Sequence, residues 1–435
     1  MAAEEARPAS QGEARPEGTR DAPRRFGALA HRDFTLLWAG LLVSNAGTWM
    51  QTVAQGWVIY NLTDDRLALG AMGLAFGLPM VLFPLFGGVV ADRIDRLTLL
   101  KATQTAALLL AVLLAALTWL GVVQFWHFWA IAFASATVLA FDNPARQALI
   151  PDLVPREDLM SAISLNSVSF TGAQLVGPAL AGLILAAFGR DLLAAGALVF
   201  LVNALSYLAV LVPLFFIRPR HAPPRAPGAE PDSRGNALVD GLRYVRSQPV
   251  LLLLIGTVAV TSVFGRSFTL LLPIFARDVL DVGGEGLGWL NAAAGLGTIA
   301  AGLALAGLGQ GLSRRALIVG GIVALTASIY GFALSARYLP SLALLALSGA
   351  AGTAMAASVA TQIQSTVPGR LRGRVMSLNT LGLIGLGPLG AFVSASMARV
   401  LPIQVAIAAT ASVMLLYLIA TLLVGPIRRV WAAIP

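Results

Sequence analysis

Apolar stretches of about twenty residues recur along the chain, separated by short runs that collect Arg, Asp, Gly and Pro. A membrane-spanning helix needs about 20 apolar residues, so each stretch predicts one crossing. The first runs from about Phe34 to Tyr60, too long and too late for the apolar region of a signal peptide, and is expected to stay in the mature protein. Helices 2 to 6 are predicted at about 69–91, 97–119, 125–147, 163–188 and 191–217. A polar stretch from Arg218 to Gln248 follows, with Pro219, Pro223, Pro224, Pro227 and Pro231, and reads as a linker. Helices 7 to 12 are predicted at about 249–275, 285–308, 314–335, 341–363, 375–399 and 402–424. Residues 1–33, rich in Ala, Pro, Arg and Glu, read as a disordered tail. The expected fold class is an all-α membrane protein of twelve transmembrane helices, six in residues 34–217 and six in 249–425, with a tail at 426–435.

Composition agrees with the pattern. The 435 residues are 57% apolar and 12% charged, against about 45–50% and about 25% for soluble domains. A soluble enzyme, a disordered chain and a nucleic-acid binder are excluded on those figures. The absence of cysteine removes disulfides, thiolate metal sites and a cysteine nucleophile. Lys101 is the single lysine and sits in Leu100-Lys101-Ala102, so there is no Walker A phosphate loop. With no H-E-x-x-H, no G-x-S-x-G and no carboxylate deep in a predicted helix, neither catalysis nor a metal or other cofactor is expected.

The net charge of +9 changes the picture only through its distribution. With the N-terminus placed in the cytoplasm, twenty-four of the thirty basic residues fall on the inner side. Five fall outside, namely Arg66, Arg190, Arg277, Arg337 and Arg399, and Arg266 lies within helix 7. The positive-inside rule then puts both termini and the linker in the cytoplasm, and Trp119, Trp126, Trp129 and Trp289 at the outer interface. The charge reports a cytoplasmic membrane face, not an affinity for nucleic acid.

The two halves repeat. Leu153-Val154-Pro155-Arg156 … Ser164-Leu165-Asn166-Ser167 … Gly177-Pro178 is matched by Thr366-Val367-Pro368-Gly369-Arg370 … Ser377-Leu378-Asn379-Thr380 … Gly387-Pro388. Equivalent helices in equivalent orientation mean parallel repeats about an axis along the membrane normal. Secondary transporters are built this way, with the substrate site between the halves. Gly177, Pro178, Gly387 and Pro388 are expected to bend and closely pack helices 5 and 11.

The most specific motif is Gly88-Val89-Val90-Ala91-Asp92-Arg93-Ile94-Asp95-Arg96 between helices 2 and 3. Here the chain resembles the major facilitator superfamily, whose loop reads G-x-x-x-D-R-x-x-R. Phe141-Asp142-Asn143-Pro144-Ala145-Arg146-Gln147, the linker end Asp240-Gly241-Leu242-Arg243-Tyr244 and Gly177-Pro178 are similar to its bacterial branch of enterobactin-exporter and macrolide-efflux proteins. The resemblance covers about residues 30–425. It implies two pseudo-symmetric six-helix bundles and a monomer in the bacterial inner membrane that exports a small amphipathic compound by alternating access in exchange for protons. It also implies a cytoplasmic gate of Gly88, Asp92, Arg93, Arg96 and Asp142, with Asp92 near Arg374. The arginine that drug antiporters often carry deep in helix 4 is missing from Ala130–Thr137, so Asp142 is left as the proton-coupling candidate.

Helix 1 carries a polar stripe. On a 100° wheel Ser44, Asn45, Thr48, Gln51, Thr52 and Gln55 share an arc of about 120°. Polar side chains avoid lipid, so the stripe reads as cavity lining or as interhelical hydrogen bonding. Arg266 is the one charge deep in a predicted helix, where a lone charge costs about 2.5–3.5 kcal/mol on insertion scales. It reads either as a cavity cation facing an anionic substrate group or as a structural ion pair snorkelling toward Asp278. Within the fold, the rival functions are an importer or uniporter; outside it, a non-transporting membrane receptor.

Overall fold

The chain is helical, with no strand among the described residues. The computed structural model describes residues 26–83, 94–188, 191–218, 234–308, 311–432 and 434. Helix α1 spans Arg32–Thr63, α2 Arg66–Leu82, α3 Arg96–Trp119, α4 Phe125–Leu153, α5 Leu159–Ala187 and α6 Leu192–Leu214. Then come α7 at Pro249–Val279, α8 at Gly283–Leu308, α9 at Arg314–Leu334 and α10 at Tyr338–Thr366. The series ends with α11 at Gly369–Met397 and α12 at Ile403–Leu423. These follow the predicted helices in order. Ten are long and apolar enough to cross a membrane. The other two are α1, whose Asn, Thr and Gln stripe lowers its hydropathy, and α2, with 17 described residues.

Side-chain caps fix several boundaries. Asp65, Asp95 and Asp191 accept from Leu67 N, Thr98 N and Ala194 N at 2.9, 2.9 and 3.0 Å, satisfying first-turn N–H groups of α2, α3 and α6. Several predicted boundaries shift. Helix α4 runs on to Leu153 through Pro144 and Pro151, six residues beyond the predicted end at 147. Helix α11 starts at Gly369 rather than 375. The predicted linker ends in a helix, Arg234–Ser247. Its Gly241 lies against Arg374, and Arg374 donates to Asp240 at 3.1 Å.

Helix α7 is irregular. A π turn at Ser262–Arg266, a 3-10 turn at Ser267–Leu271 and a second π turn at Phe275–Val279 interrupt it. Helix α11 has a π turn at Leu381–Gly385, just before Gly387-Pro388. Helix α5, by contrast, passes through Gly177 and Pro178 unbroken.

Helix α1 packs on α5 and α6, α3 on α4 and α6, α8 on α10, and α9 on α10 and α12. Two seams join residues before the linker to residues after it, α5 on α8 and α2 on α11. Both are built on missing side chains. A Cβ at Gly288 would stand 2.6 Å from Gly182 Cα, and one at Gly70 would stand 2.7 Å from the Ala395 Cβ. Small residues of this kind let backbones approach where lipid offers no hydrophobic drive.

Candidate functional site

Gly88, Asp92 and Arg93 lie outside the described residues. Arg96, the first residue of α3, is described, and its partners among the described residues lie on α4, away from Asp142. Its Nη1 donates to Ala148 O at 2.9 Å and pairs with the buried Asp152. Asp142 belongs to a separate cluster. Its Oδ1 accepts from Thr103 Oγ1 and Gln104 Nε2, both at 2.8 Å, and its Oδ2 lies 3.3 Å from Arg146. The reason is helical rise. Ten residues separate Asp142 from Asp152, about 15 Å along a continuous α4, and Arg96 reaches only the far end. The first turn of α3 carries Arg96 to Asp152, whereas Thr103 and Gln104, two turns on, reach Asp142.

The stripe on α1 divides. Asn45 donates to Ser169 of α5 at 3.5 Å, and Gln51 accepts from Asn203 of α6 at 2.6 Å. Those two, at the edges of the arc, make interhelical bonds. Gln55 is buried and its Nε2 has no hydrogen-bond partner among the described residues. Thr48 and Thr52 are exposed, Thr48 within 3.4 Å of Tyr207 Oη. Met50, about 200° around the helix from Thr52, lines an apolar groove with Leu180, Leu183, Ile184, Leu198 and Val202 of α5 and α6. Thr48 and Thr52 therefore face away from that groove.

Arg266 closes the first π turn of α7, and its side chain is exposed. The rest of α7 is ringed by helices. Cβ atoms at Gly265, Gly73 and Gly56 stand for its approach to α9 and α12 (Leu325, Met414), to α2 (at Leu270) and to α1 (at Pro273). Gly390 of α11 lies against Val263 and Ser267. Phe268 packs on Phe332 of α9, with centroids 5.7 Å apart. On the Arg266 side stands Gly352 of α10, whose Cβ would be 4.0 Å from Arg266 Nη1. The guanidinium has no ion pair or hydrogen-bond partner among the described residues. Asp278, the snorkelling partner expected from the sequence, is already engaged.

What engages Asp278 is a cluster that sequence reasoning missed. Tyr60 Oη donates to Asp278 Oδ2 at 2.5 Å, and Arg66 Nη2 lies 3.7 Å from the same oxygen. Arg277 donates to Asp278 Oδ1 at 2.8 Å, pairs with Asp64 and lies 3.9 Å over the Tyr60 ring. Arg399 Nη2 reaches Asp65 Oδ2 at 3.2 Å, and Arg66 Nη1 donates to Ala398 O at 2.8 Å. The α1–α2 turn, where Asp64 takes a left-handed φ of 50°, is thus tied to the ends of α7 and α11. Arg66, Arg277 and Arg399 are three of the five basic residues counted on the outer side. Their sequence signal was position alone, with nothing to pair them.

The family model of transmembrane secretion effectors matches residues 24–431. The chain belongs to that family. Among relatives of this chain are the major facilitator-type transporter YfiS of Bacillus subtilis (strain 168) and the multidrug efflux pump Tap of Mycolicibacterium fortuitum. YfiS is 26% identical over 394 residues, covering 84% of this chain and 88% of its own. Tap is 27% identical over 375 residues, 82% of this chain and 87% of its own. In three dimensions the chain is similar to a bacterial homologue of the human lysosomal transporter Spinster, in its inward-facing, unoccupied conformation. The TM-score is 0.70 over 93% of this chain and 98% of that one, at 15% identity. That likeness is one of fold. The protein is thus a multi-pass membrane protein with the family and fold of transporters, not of enzymes.

Proposed function

We propose that this protein is a secondary active transporter that exports a small amphipathic organic compound across the bacterial inner membrane by alternating access. In this reading twelve helices form two six-helix bundles, residues 34–217 and 249–425, with both termini and the linker cytoplasmic, and the monomer is the working unit. The observation that carries it is the placement of charge and exposure. The halves are tied by three ion pairs at the α1–α2 end, Arg66–Asp278, Arg277–Asp64 and Arg399–Asp65. Away from that end, Thr48 and Thr52 of α1 and Arg266 and Thr269 of α7 are exposed instead of packed, and in this reading they line the space between the halves. A polar interior between two repeats, closed at one end by contacts across them, is what a transporter with a midplane site requires. That Tap is a multidrug efflux pump supports the outward direction.

Proton exchange is part of the proposal, with Asp142 as carrier. Its carboxylate is held by Thr103, Gln104 and Arg146 inside the first half. Protonation would remove the charge that Arg146 faces, so coupling would act by releasing Arg146. Arg96 and Asp152, with Asp92 and Arg93, would form the cytoplasmic gate. The test is flux from inverted membrane vesicles loaded by an imposed pH gradient, using fluorescent amphipathic dyes. Dye accumulation that follows the gradient and collapses with a protonophore is expected. Equal dye movement in vesicles lacking the protein sinks the reading.

A further inference from the structure

We infer that Arg266 is the anchor for an anionic group, and that the compounds this transporter takes carry a carboxylate or a like anion on an apolar body. The inference rests on the transport reading above and adds the substrate's charge to it.

Three observations lead there. First, the cation is unspent. Among the described residues the Arg266 guanidinium has neither ion pair nor hydrogen-bond partner, while Asp278 is held by Tyr60, Arg66 and Arg277. A charge inside a spanning helix persists only where water, a partner or a ligand meets it. Second, the side chain opens onto interior space. Helices α1, α2, α9, α11 and α12 occupy the other directions around α7, and the wall on the Arg266 side is Gly352, a residue without a side chain. Room is therefore left where the fork of five N–H donors points, and such a fork fits a carboxylate with two parallel hydrogen bonds.

Third, α1 and α7 run in matched register. Tyr60 meets Asp278 and Gly56 approaches Pro273. Carried one and two turns farther from that closed end, the same offset puts Thr52 at the level of Thr269 and Thr48 at that of Arg266. Thr48, Thr52, Thr269 and Arg266 are all exposed, and in this inference they line a polar cleft between the two helices below Gly56 and Pro273. Thr269 gives its hydroxyl hydrogen to Arg266 O at 2.8 Å, which leaves the guanidinium itself unengaged. No acidic side chain of α1, α7 or α10 shares the cleft. Asp33, Asp278 and, beyond it, Asp64 lie at helix ends. A cation with hydroxyl neighbours and no carboxylate attracts an anion and repels the lipophilic cations that an acid-lined cavity would collect.

The experiment compares 1-naphthylacetate with 1-naphthylacetamide, two compounds of one shape that differ in charge, by equilibrium dialysis against the purified full-length protein. One charge-assisted bidentate contact predicts that the acid binds about tenfold or more tighter than the amide. Arg266→Gln, judged folded by its elution profile and thermal midpoint, is expected to bring the acid down to the affinity of the amide, and Arg266→Lys to keep part of the preference. Equal binding of acid and amide by the unaltered protein, or an acid preference that survives Arg266→Gln, overturns the inference. Proteoliposome flux of the same pair separates it from the reading beneath. Flux without acid preference removes the anchor and keeps the transporter, whereas acid-selective binding without flux removes transport and keeps the anchor.

Discussion

Tyr60 donates its hydroxyl to Asp278 at 2.5 Å, and Arg277, the neighbour of Asp278, lies 3.9 Å over the Tyr60 ring. One aromatic side chain of α1 thus holds both charges at the end of α7. A cation over an aromatic face contributes about 0.5–2 kcal/mol according to exposure, and Arg277 adds its pair with Asp64.

This contact sets the first expectation. Arg277→Gln removes the stacked charge and the pair with Asp64 together, which weakens closure of that end by about 1.4 kcal/mol or more, a factor of about ten. The chain has no native cysteine, so a single cysteine at Thr52 reports access cleanly. Its labelling by a membrane-impermeant maleimide in right-side-out vesicles should quicken about tenfold in Arg277→Gln. An unaltered labelling rate would show that the cluster does not hold the halves together.

Arg96 and Asp152 form a pair with one partner buried and the other about one-third exposed. Removing one member of a fully buried pair costs about 3–5 kcal/mol, and exposure of Arg96 reduces that to about 1–3 kcal/mol. Asp152→Ala should lower the thermal midpoint in detergent, and the Arg96→Ala, Asp152→Ala double variant should lose less than the sum of the singles. Additive losses would mean that the two side chains do not interact.

The α5–α8 seam leaves no room at Gly288, where a Cβ would also stand 2.6 Å from Pro178 O. Gly302, on the same helix, has nothing within 4 Å of its Cβ position. Gly288→Val should therefore cost about 1–3 kcal/mol by overpacking and reduce flux, while Gly302→Val leaves both as they were. Equal behaviour of the two variants in melting and in flux would contradict the seam.

Asp142 tests the coupling half of the proposed function. Asp142→Asn keeps a side chain that Thr103 and Gln104 can meet but discards the charge opposite Arg146. Flux driven by a pH gradient should disappear, while exchange of labelled for unlabelled substrate without a gradient persists. Gradient-driven flux that survives the change would move proton coupling elsewhere in the chain.

The sequence by itself determined the helices, their order and the family. Each of these depends on local composition or on periodicity within one segment, and the cost of burying a polar backbone in lipid makes helix the outcome for every apolar stretch. The stripe on α1 and the lone charge of Arg266 were legible for the same reason, since angles around one helix follow from residue spacing. Partnership was not legible. Asp142 and Asp152 stand on one helix near the same loop, and only the packing of α3 on α4 decided which of them Arg96 touches. Asp64, Arg277 and Arg399 are separated by more than a hundred residues from one another, and the α2–α11 seam and the α1–α7 register bring them together. The stripe itself was divided by its neighbours, α5 taking Asn45 and α6 taking Gln51, with Thr48 and Thr52 left exposed. A side chain's direction is fixed by its own helix, but what it meets is fixed by where the other helices lie.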